Sequence, residues 1–197
     1  KLWGICPRHQ EQAAKTILGA AGLPLLWSRG QRYVGGFVGS LKMRERWLDA
    51  QIQKWVHGVN TLAGVARRFP QAAYIGLTQC LQAEWQYLCR VEPDVGPSLQ
   101  PIEEAIRMKF LPSLFDFKEP ISDNFRRLLA QGVKQGGIAI RDPVEGASRL
   151  HQASMDATAQ LVESLVSGGD LNCERHVRCV RAAGSTARAE RVNKGKE

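Results

Sequence analysis

"KMRERWLDAQIQKWVHGVNTL", residues 42–62, is the stretch that sets the fold class, because its apolar residues recur with the period of an α-helix. The apolar residues are Leu48, Ile52, Trp55, Val59 and Leu62. They follow one another at spacings of four, three, four and three, which places them on one face of an amphipathic helix. Pro70 comes soon after and predicts the end of this helix.

Further helices are predicted beyond Pro70. The apolar stripe of the next one consists of Tyr74, Leu77, Leu81, Trp85 and Leu88. A third helix is predicted from about Pro101 to Leu111, and a fourth after Ser122, which suits an N-cap. A fifth is predicted to open at Asp142-Pro143. A last helix, from Asp170 to about Arg181, completes the pattern.

The front of the chain has a different, mixed pattern. "KLWGIC" (1–6) reads as a strand and "HQEQAAKTILGAAG" (9–22) as a helix that Gly22 ends. "PLLW" (24–27) and "RYVGGFVG" (32–39) read as two strands around the turn "SRGQ". The front is therefore predicted to be β-α-β-β.

The predicted fold is an α+β chain that is mostly α-helical, with a small N-terminal β-α-β-β piece followed by a bundle of about five helices. We expect three parts: residues 1–40, a helical region over 41–183, and a disordered basic tail over 184–197. The tail is predicted to be disordered because it is rich in arginine and lysine and has no apolar period.

Charge narrows the choice of partners. The 197 residues carry a formal net charge of +8, with a pI of about 9.5, so an anionic partner is expected and nucleic acid is the leading candidate. Simple solubility is the alternative explanation. No apolar run reaches the roughly 18 residues of a membrane span, so no membrane partner is expected.

The cysteines favour an intracellular chain, in the nucleus or the cytoplasm. They number five, at irregular spacing, and no signal peptide precedes them, so reduced thiols are expected rather than a disulfide framework. The sequence begins with Lys1 and not with methionine. We interpret it as a fragment of a longer protein.

The sequence offers little for catalysis. His9, His57, His151 and His176 have no acid–base partner at a recognisable spacing. Phosphate-loop, nucleophile-elbow and paired-acid metal motifs are missing. "CERHVRC" (173–179) contains three potential zinc ligands, Cys173, His176 and Cys179, but a basic helix with ordinary thiols explains it as well.

The basic residues show some order around the glycine-rich stretch. Arg29 and Arg32 flank the turn before it, and Lys42, Arg44 and Arg46 begin the first long helix. This distribution could follow a phosphate backbone, or it could be a solvated face. The neighbouring aromatic residues, Trp27, Tyr33 and Phe37, could pack against nucleotides or belong to the core.

Three motifs, "KLWGIC", "RYVGGFVG" and "VKQGGIAIRDP" (133–143), occur in an order that resembles the C-terminal half of a retroelement reverse transcriptase. The resemblance runs from Lys1 to about Cys179. "FPQAAYIGLTQCLQAEWQYL" (69–88) and "PIEEAIRMKFLPSLF" (101–115) are also similar to helical segments of those polymerases. The similarity implies the end of a palm, a primer-grip-like hairpin and a helical thumb-like region.

The resemblance also implies roles for individual residues. Tyr33 to Gly39 would support the primer's 3′ end, with Gly35 and Gly36 allowing close approach of the backbone. Arg32 would meet a phosphate, and Phe37 would pack beside the terminal nucleotide or anchor the hairpin. The nucleic-acid-binding residues implied are Lys1, Arg29, Arg32, Tyr33, Gly35, Gly36, Phe37, Lys42 and Arg44. The partner would be an RNA–DNA hybrid or other nucleic acid.

The sequence departs from a complete polymerase in one respect. It contains no Tyr-x-Asp-Asp motif, so the segment alone is expected to be inactive and to hold no cofactor. The similarity places Mg²⁺ in a palm that is missing here. Two alternatives stay open: a basic helical protein-interaction module without enzymatic activity, and an enzyme with a His or Cys nucleophile.

Overall fold

A computed structural model describes residues 2–194 of the chain. The chain forms two compact units that divide between Gln51 and Ile52. The division falls inside the first long helix, whereas the sequence pattern placed a boundary in front of that helix, at residue 41. Most of the described residues are helical, and the strands lie near the N-terminus, which confirms the predicted α+β, mostly α-helical class.

The N-terminal unit begins with a small βαβ arrangement. Strand β1 (Leu2–Gly4) pairs in parallel with β2 (Leu25–Trp27), and helix α1 (Glu11–Ala20) connects them. A separate antiparallel hairpin follows, formed by β3 (Gly30–Tyr33) and β4 (Gly36–Gly39). The long helix α2 (Leu41–Ala66) starts directly after the hairpin.

The hairpin turns inside "RYVGGFVG" and not at "SRGQ". Tyr33 pairs with Gly36, so Val34 and Gly35 form the two-residue loop. Their φ angles, 44° and 82°, are both positive, as a type I′ turn requires. The prediction of one continuous strand over 32–39 was therefore wrong, because the glycine after Val34 permits a tight reversal that the apolar pattern does not reveal.

Two further glycines let the hairpin strands and an aromatic ring approach closely. A Cβ atom on Gly30 would lie 2.5 Å from the Phe37 ring, and one on Gly39 would lie 2.4 Å from the Arg29 carbonyl oxygen. Neither distance is sterically possible for a real side chain. The base of the hairpin therefore tolerates only glycine at these positions.

The C-terminal unit is built from helices. After α2 the helices are α3 (Pro70–Ile75), α4 (Gln82–Val91), α5 (Gln100–Ala105), α6 (Leu111–Phe115), α7 (Asp123–Ala130), α8 (Pro143–Ser167) and α9 (Cys173–Lys194). A wide π turn, Gly76–Leu81, joins α3 to α4, and a second, Ile106–Phe110, joins α5 to α6. The predicted helix after Pro70 thus covers both α3 and α4, whereas the one predicted from about Pro101 to Leu111 covers α5 and the second π turn and stops at the start of α6.

The predicted helix signals agree with the structure at several termini. Ser122 caps α7 by accepting a hydrogen bond from the Phe125 amide at 3.3 Å. Asp142 caps α8 by accepting from the amides of Val144 and Glu145 at 2.8 and 3.0 Å, and Pro143 fills the first turn. Both caps satisfy backbone donors that a helix start leaves unpaired.

The core of this unit follows the apolar stripes of α2 and α4. Ile52, Trp55 and Val59 of α2 are buried, as are Leu77 of the π turn and Trp85 of α4. The Trp55 and Trp85 rings meet edge to face, with centroids 6.3 Å apart. Helix α8 packs against α4 and also against α9.

The C-terminal helix is longer than its composition predicted. Disorder was expected beyond Gly184, yet α9 continues as a helix to Lys194. The half-buried or buried side chains of its packed face are His176, Cys179, Ala183 and Ala187. Their spacings of three, four and four residues are helical, but alanine contributes too little hydrophobicity for the pattern to stand out among the arginines.

Candidate nucleic-acid interface

Positive charge is concentrated in the N-terminal unit. Residues 1–51 contain eight lysines and arginines against three acidic residues. This quarter of the chain therefore holds most of the net charge of +8. Such a concentration raises the local density of anions and is the electrostatic feature that nucleic-acid-binding units share.

The hairpin presents one open face and one packed face. Tyr33 is 70% exposed, and Val34 at the turn and Val38 on β4 are also exposed. Arg32 lies on the other face, across from Phe37 in the hairpin register, but it is also exposed and has no acidic partner among residues 2–194. The tip of the hairpin thus offers a phenol ring and a guanidinium group to solvent, which are the two groups that stack on bases and bind phosphates.

Phe37 has a structural role on the packed face. Its ring lies against Gly30 and stacks on Trp47 of α2, with ring centroids 5.5 Å apart. This stacking fastens the hairpin to the second turn of α2. Of the two roles that the resemblance implied for Phe37, its packing supports the role of an anchor for the hairpin.

Arg32 shares a face of the hairpin with the ring that packs against α2. Arg32 lies opposite Phe37 in the hairpin register, and Phe37 contacts Trp47. Lys42 and Arg46 are exposed on the first two turns of α2, and neither has an acidic partner in the described part of the chain. Arg46 is four residues from Lys42, on the same helix face.

Two of the predicted cations are less available. Arg29 forms an ion pair with Glu11, at 3.0 Å between Nη2 and Oε2, and Lys15 contacts the other carboxylate oxygen at 2.7 Å. The hydrogen bond from Lys15, with the charge of Arg29, lowers the pKa of Glu11. Arg44 is half-buried and also interacts within the protein.

The remaining predicted site residues are Gly35, Gly36 and Lys1. Gly35 forms the turn with a φ of 82°, and Gly36 is buried at the start of β4. The conformation of the hairpin therefore accounts for the glycine at both positions. Lys1 lies outside the described residues. Arg32, Tyr33 and Lys42 of the predicted site are exposed in the N-terminal unit, and so is Arg46, a residue that the predicted site had not included.

The potential nucleophiles and zinc ligands have other surroundings. Burial raises the pKa of Cys89 to about 11, so its thiol stays protonated at neutral pH and lacks nucleophilic character. His176 and Cys179 lie half-buried along α9, while Cys173 is exposed at its first residue. Within residues 2–194, no three His, Cys, Asp or Glu side chains converge in a way that could hold a metal ion.

Two further observations concern membranes and relatives. Of the helices in the described part of the chain, none combines the length and the apolar character that crossing a membrane requires. Comparison with protein-family models, with curated proteins and with solved structures gives no match for this chain.

Proposed function

We propose that the chain binds the phosphate backbone of a template–primer duplex, as the non-catalytic C-terminal part of a retroelement reverse transcriptase. One observation carries the proposal: the N-terminal unit presents three exposed cations, Arg32, Lys42 and Arg46, that have no acidic partner within residues 2–194, together with Tyr33 exposed beside the hairpin turn. Unpaired arginine and lysine side chains are the usual donors to phosphate oxygens.

An RNA–DNA hybrid is the preferred ligand under this proposal. The motif order resembles the end of a palm followed by a thumb-like region, and such regions hold the duplex that the polymerase extends. The candidate interface offers guanidinium, ammonium and phenol groups and lacks exposed Asn or Gln pairs that would read base edges. Binding should therefore depend on backbone charge and duplex shape and tolerate any sequence.

A protein-interaction module is the second candidate, and one surface favours it. Val162, Leu165 and Val166, near the end of α8, are 53%, 82% and 83% exposed. Large apolar side chains that stay exposed at such levels can mark a contact surface for another protein. This candidate predicts that removal of N-terminal cations leaves the chain's binding unchanged.

A charge-removal variant tests the proposed interface. The triple substitution Arg32→Gln, Lys42→Gln and Arg46→Gln is expected to weaken binding of an RNA–DNA hybrid roughly 30-fold at low salt, because each substitution removes a phosphate contact. The salt dependence should fall by about three units of slope for the same reason. Fluorescence anisotropy with a labelled hybrid measures both quantities.

A matched control separates this interface from general positive charge. The substitutions Arg67→Gln, Arg178→Gln and Arg181→Gln remove the same charge from exposed positions of the C-terminal unit. The control should bind the hybrid within about twofold of the unmodified chain. Equal weakening by both triple variants would mean that the charge acts diffusely and that the hairpin is not the binding surface.

A further inference from the structure

The C-terminal unit contains an arginine-lined cavity of about 350 Å³ that the proposed function does not use. Its walls come from α4, α7, the segment before α8, α8 and α9. The arginines that line it are Arg90, Arg126, Arg127, Arg141, Arg149 and Arg188. Only two acidic residues, Asp142 and Glu145, share the lining.

Three of these arginines, of which Arg126 is buried, donate to acceptors of the protein. Arg126 donates to both carboxylate oxygens of Glu103 at 2.6 Å and to the Ile140 carbonyl at 2.7 Å. Arg127 donates to Asn124 Oδ1 at 2.7 Å, and Arg141 donates to Gln86 Oε1 at 3.2 Å. This part of the wall is therefore preorganised.

The backbone beneath the cavity is held just as firmly. Gln82, which is buried, donates to the Ala139 carbonyl at 3.2 Å and accepts from the Arg141 amide at 2.9 Å. Tyr74 donates to the Ile138 carbonyl at 2.7 Å. These bonds fix the segment from which Arg141 extends, although it includes Ala139 at a left-handed φ of 58°.

The other three arginines have no such acceptors. Within residues 2–194, Arg90, Arg149 and Arg188 form no ion pair or hydrogen bond with another side chain. Asp142 cannot neutralise them fully, because its carboxylate already caps α8. Several like charges around one cavity repel each other, so an anion bound there would relieve the repulsion as well as satisfy the donors.

We propose that this cavity binds a linear polyphosphate, either free or as the triphosphate of a nucleotide. Guanidinium groups bind phosphate oxygens through two parallel hydrogen bonds. Three guanidinium groups without side-chain partners suit an anion that carries several phosphate groups. The volume lies within the range of small-molecule sites. The concave shape favours a compact anion over a duplex, whose phosphates follow an extended surface.

Calorimetric titration of the full chain with tripolyphosphate, ATP and orthophosphate tests the proposal. Tripolyphosphate and ATP should bind, and orthophosphate should bind at least about tenfold more weakly because it engages fewer guanidinium groups. Similar affinities for tripolyphosphate and ATP would assign recognition to the phosphate chain. Tighter binding of ATP would show that the nucleoside is also contacted in the same cavity.

Three variants connect the binding to the cavity. Arg149→Gln with Arg188→Gln should weaken tripolyphosphate binding about tenfold or more. Glu145→Gln removes an acidic group from the lining and should strengthen it roughly threefold. Arg67→Gln with Arg178→Gln removes equal charge elsewhere and should leave the affinity unchanged. All positions are exposed or half-exposed, so the variants should fold.

Several results would overturn this assignment. The cavity would not be a specific polyphosphate site if tripolyphosphate bound no more tightly than orthophosphate. The same conclusion would follow if both double variants lowered the affinity for tripolyphosphate equally. The ligand would instead be a nucleic-acid backbone if an RNA–DNA hybrid displaced tripolyphosphate and if the Arg149→Gln, Arg188→Gln variant bound the hybrid more weakly. Because the triple variant at Arg32, Lys42 and Arg46 leaves the cavity intact, it should bind tripolyphosphate normally, and the two proposals can fail independently.

Discussion

Replacing Arg126 with methionine is expected to destabilise the protein by about 3–5 kcal/mol, because it leaves the carboxylate of Glu103 buried without its partner. Both side chains are almost fully buried, and two parallel bonds of 2.6 Å join them. The same change also removes the donor to the Ile140 carbonyl. Urea unfolding followed by circular dichroism measures the loss.

The effect of Arg126→Met should depend on pH in a defined direction. Burial raises the pKa of Glu103 above its ordinary value, whereas Arg126 acts to lower it. Without Arg126 the pKa rises further, so the folded variant binds a proton more readily than the unfolded chain does. A group of this kind favours folding at low pH and loses that contribution as the pH rises. The deficit relative to the unmodified chain should therefore shrink from about pH 7 to about pH 5.

A double variant provides the control for this pair. Glu103→Leu combined with Arg126→Met removes both charges and should be clearly more stable than Arg126→Met alone, since no charge is left unpaired. If the single variant were as stable as the unmodified chain, or if its deficit grew on acidification, the buried ion pair would not exist as described.

Replacing Trp85 with alanine is expected to cost about 3–5 kcal/mol. Trp85 is 1% exposed at the centre of the C-terminal unit, and its ring meets that of Trp55 edge to face. Removal of the indole leaves a large cavity and takes away the aromatic partner of Trp55. Thermal unfolding should show a single, strongly lowered transition.

Trp85→Phe separates the contribution of packing from that of the indole nitrogen. Trp85 Nε1 is buried and has no hydrogen-bond partner among the described residues. Phenylalanine keeps most of the ring volume and removes this unsatisfied donor, so its cost should be well below that of alanine. Equal destabilisation by both substitutions would contradict the placement of Trp85 in the core.

Helix positions could be predicted from the sequence where side-chain chemistry is strong and local. The spacing of Leu48, Ile52 and Trp55 identifies α2, and the caps Ser122 and Asp142 identify the starts of α7 and α8. Each signal depends on residues within a few positions of one another. For that reason the local sequence was sufficient to predict where these helices lie.

Features that depend on distant contacts or on weak apolar residues could not be predicted. The hairpin register depends on how Phe37 fits against Gly30 and Trp47, and α9 packs against α8 although its half-buried or buried positions include small alanines. The arginine-lined cavity collects residues between Arg90 and Arg188 that no local motif connects. The exposure of Arg32, Tyr33 and Lys42 agrees with the surface position that the family resemblance implied, whereas their role in binding stays a prediction.

Binding of an RNA–DNA hybrid as a function of salt tests the central claim most directly. The full chain should bind hybrids of unrelated sequence equally, and its affinity should fall roughly 40-fold between about 50 and 200 mM salt, as about three phosphate contacts require. A labelled hybrid and anisotropy are sufficient for the measurement. If the hybrid did not bind at about 50 mM salt, or if its affinity were insensitive to salt, the proposed backbone interface would be wrong.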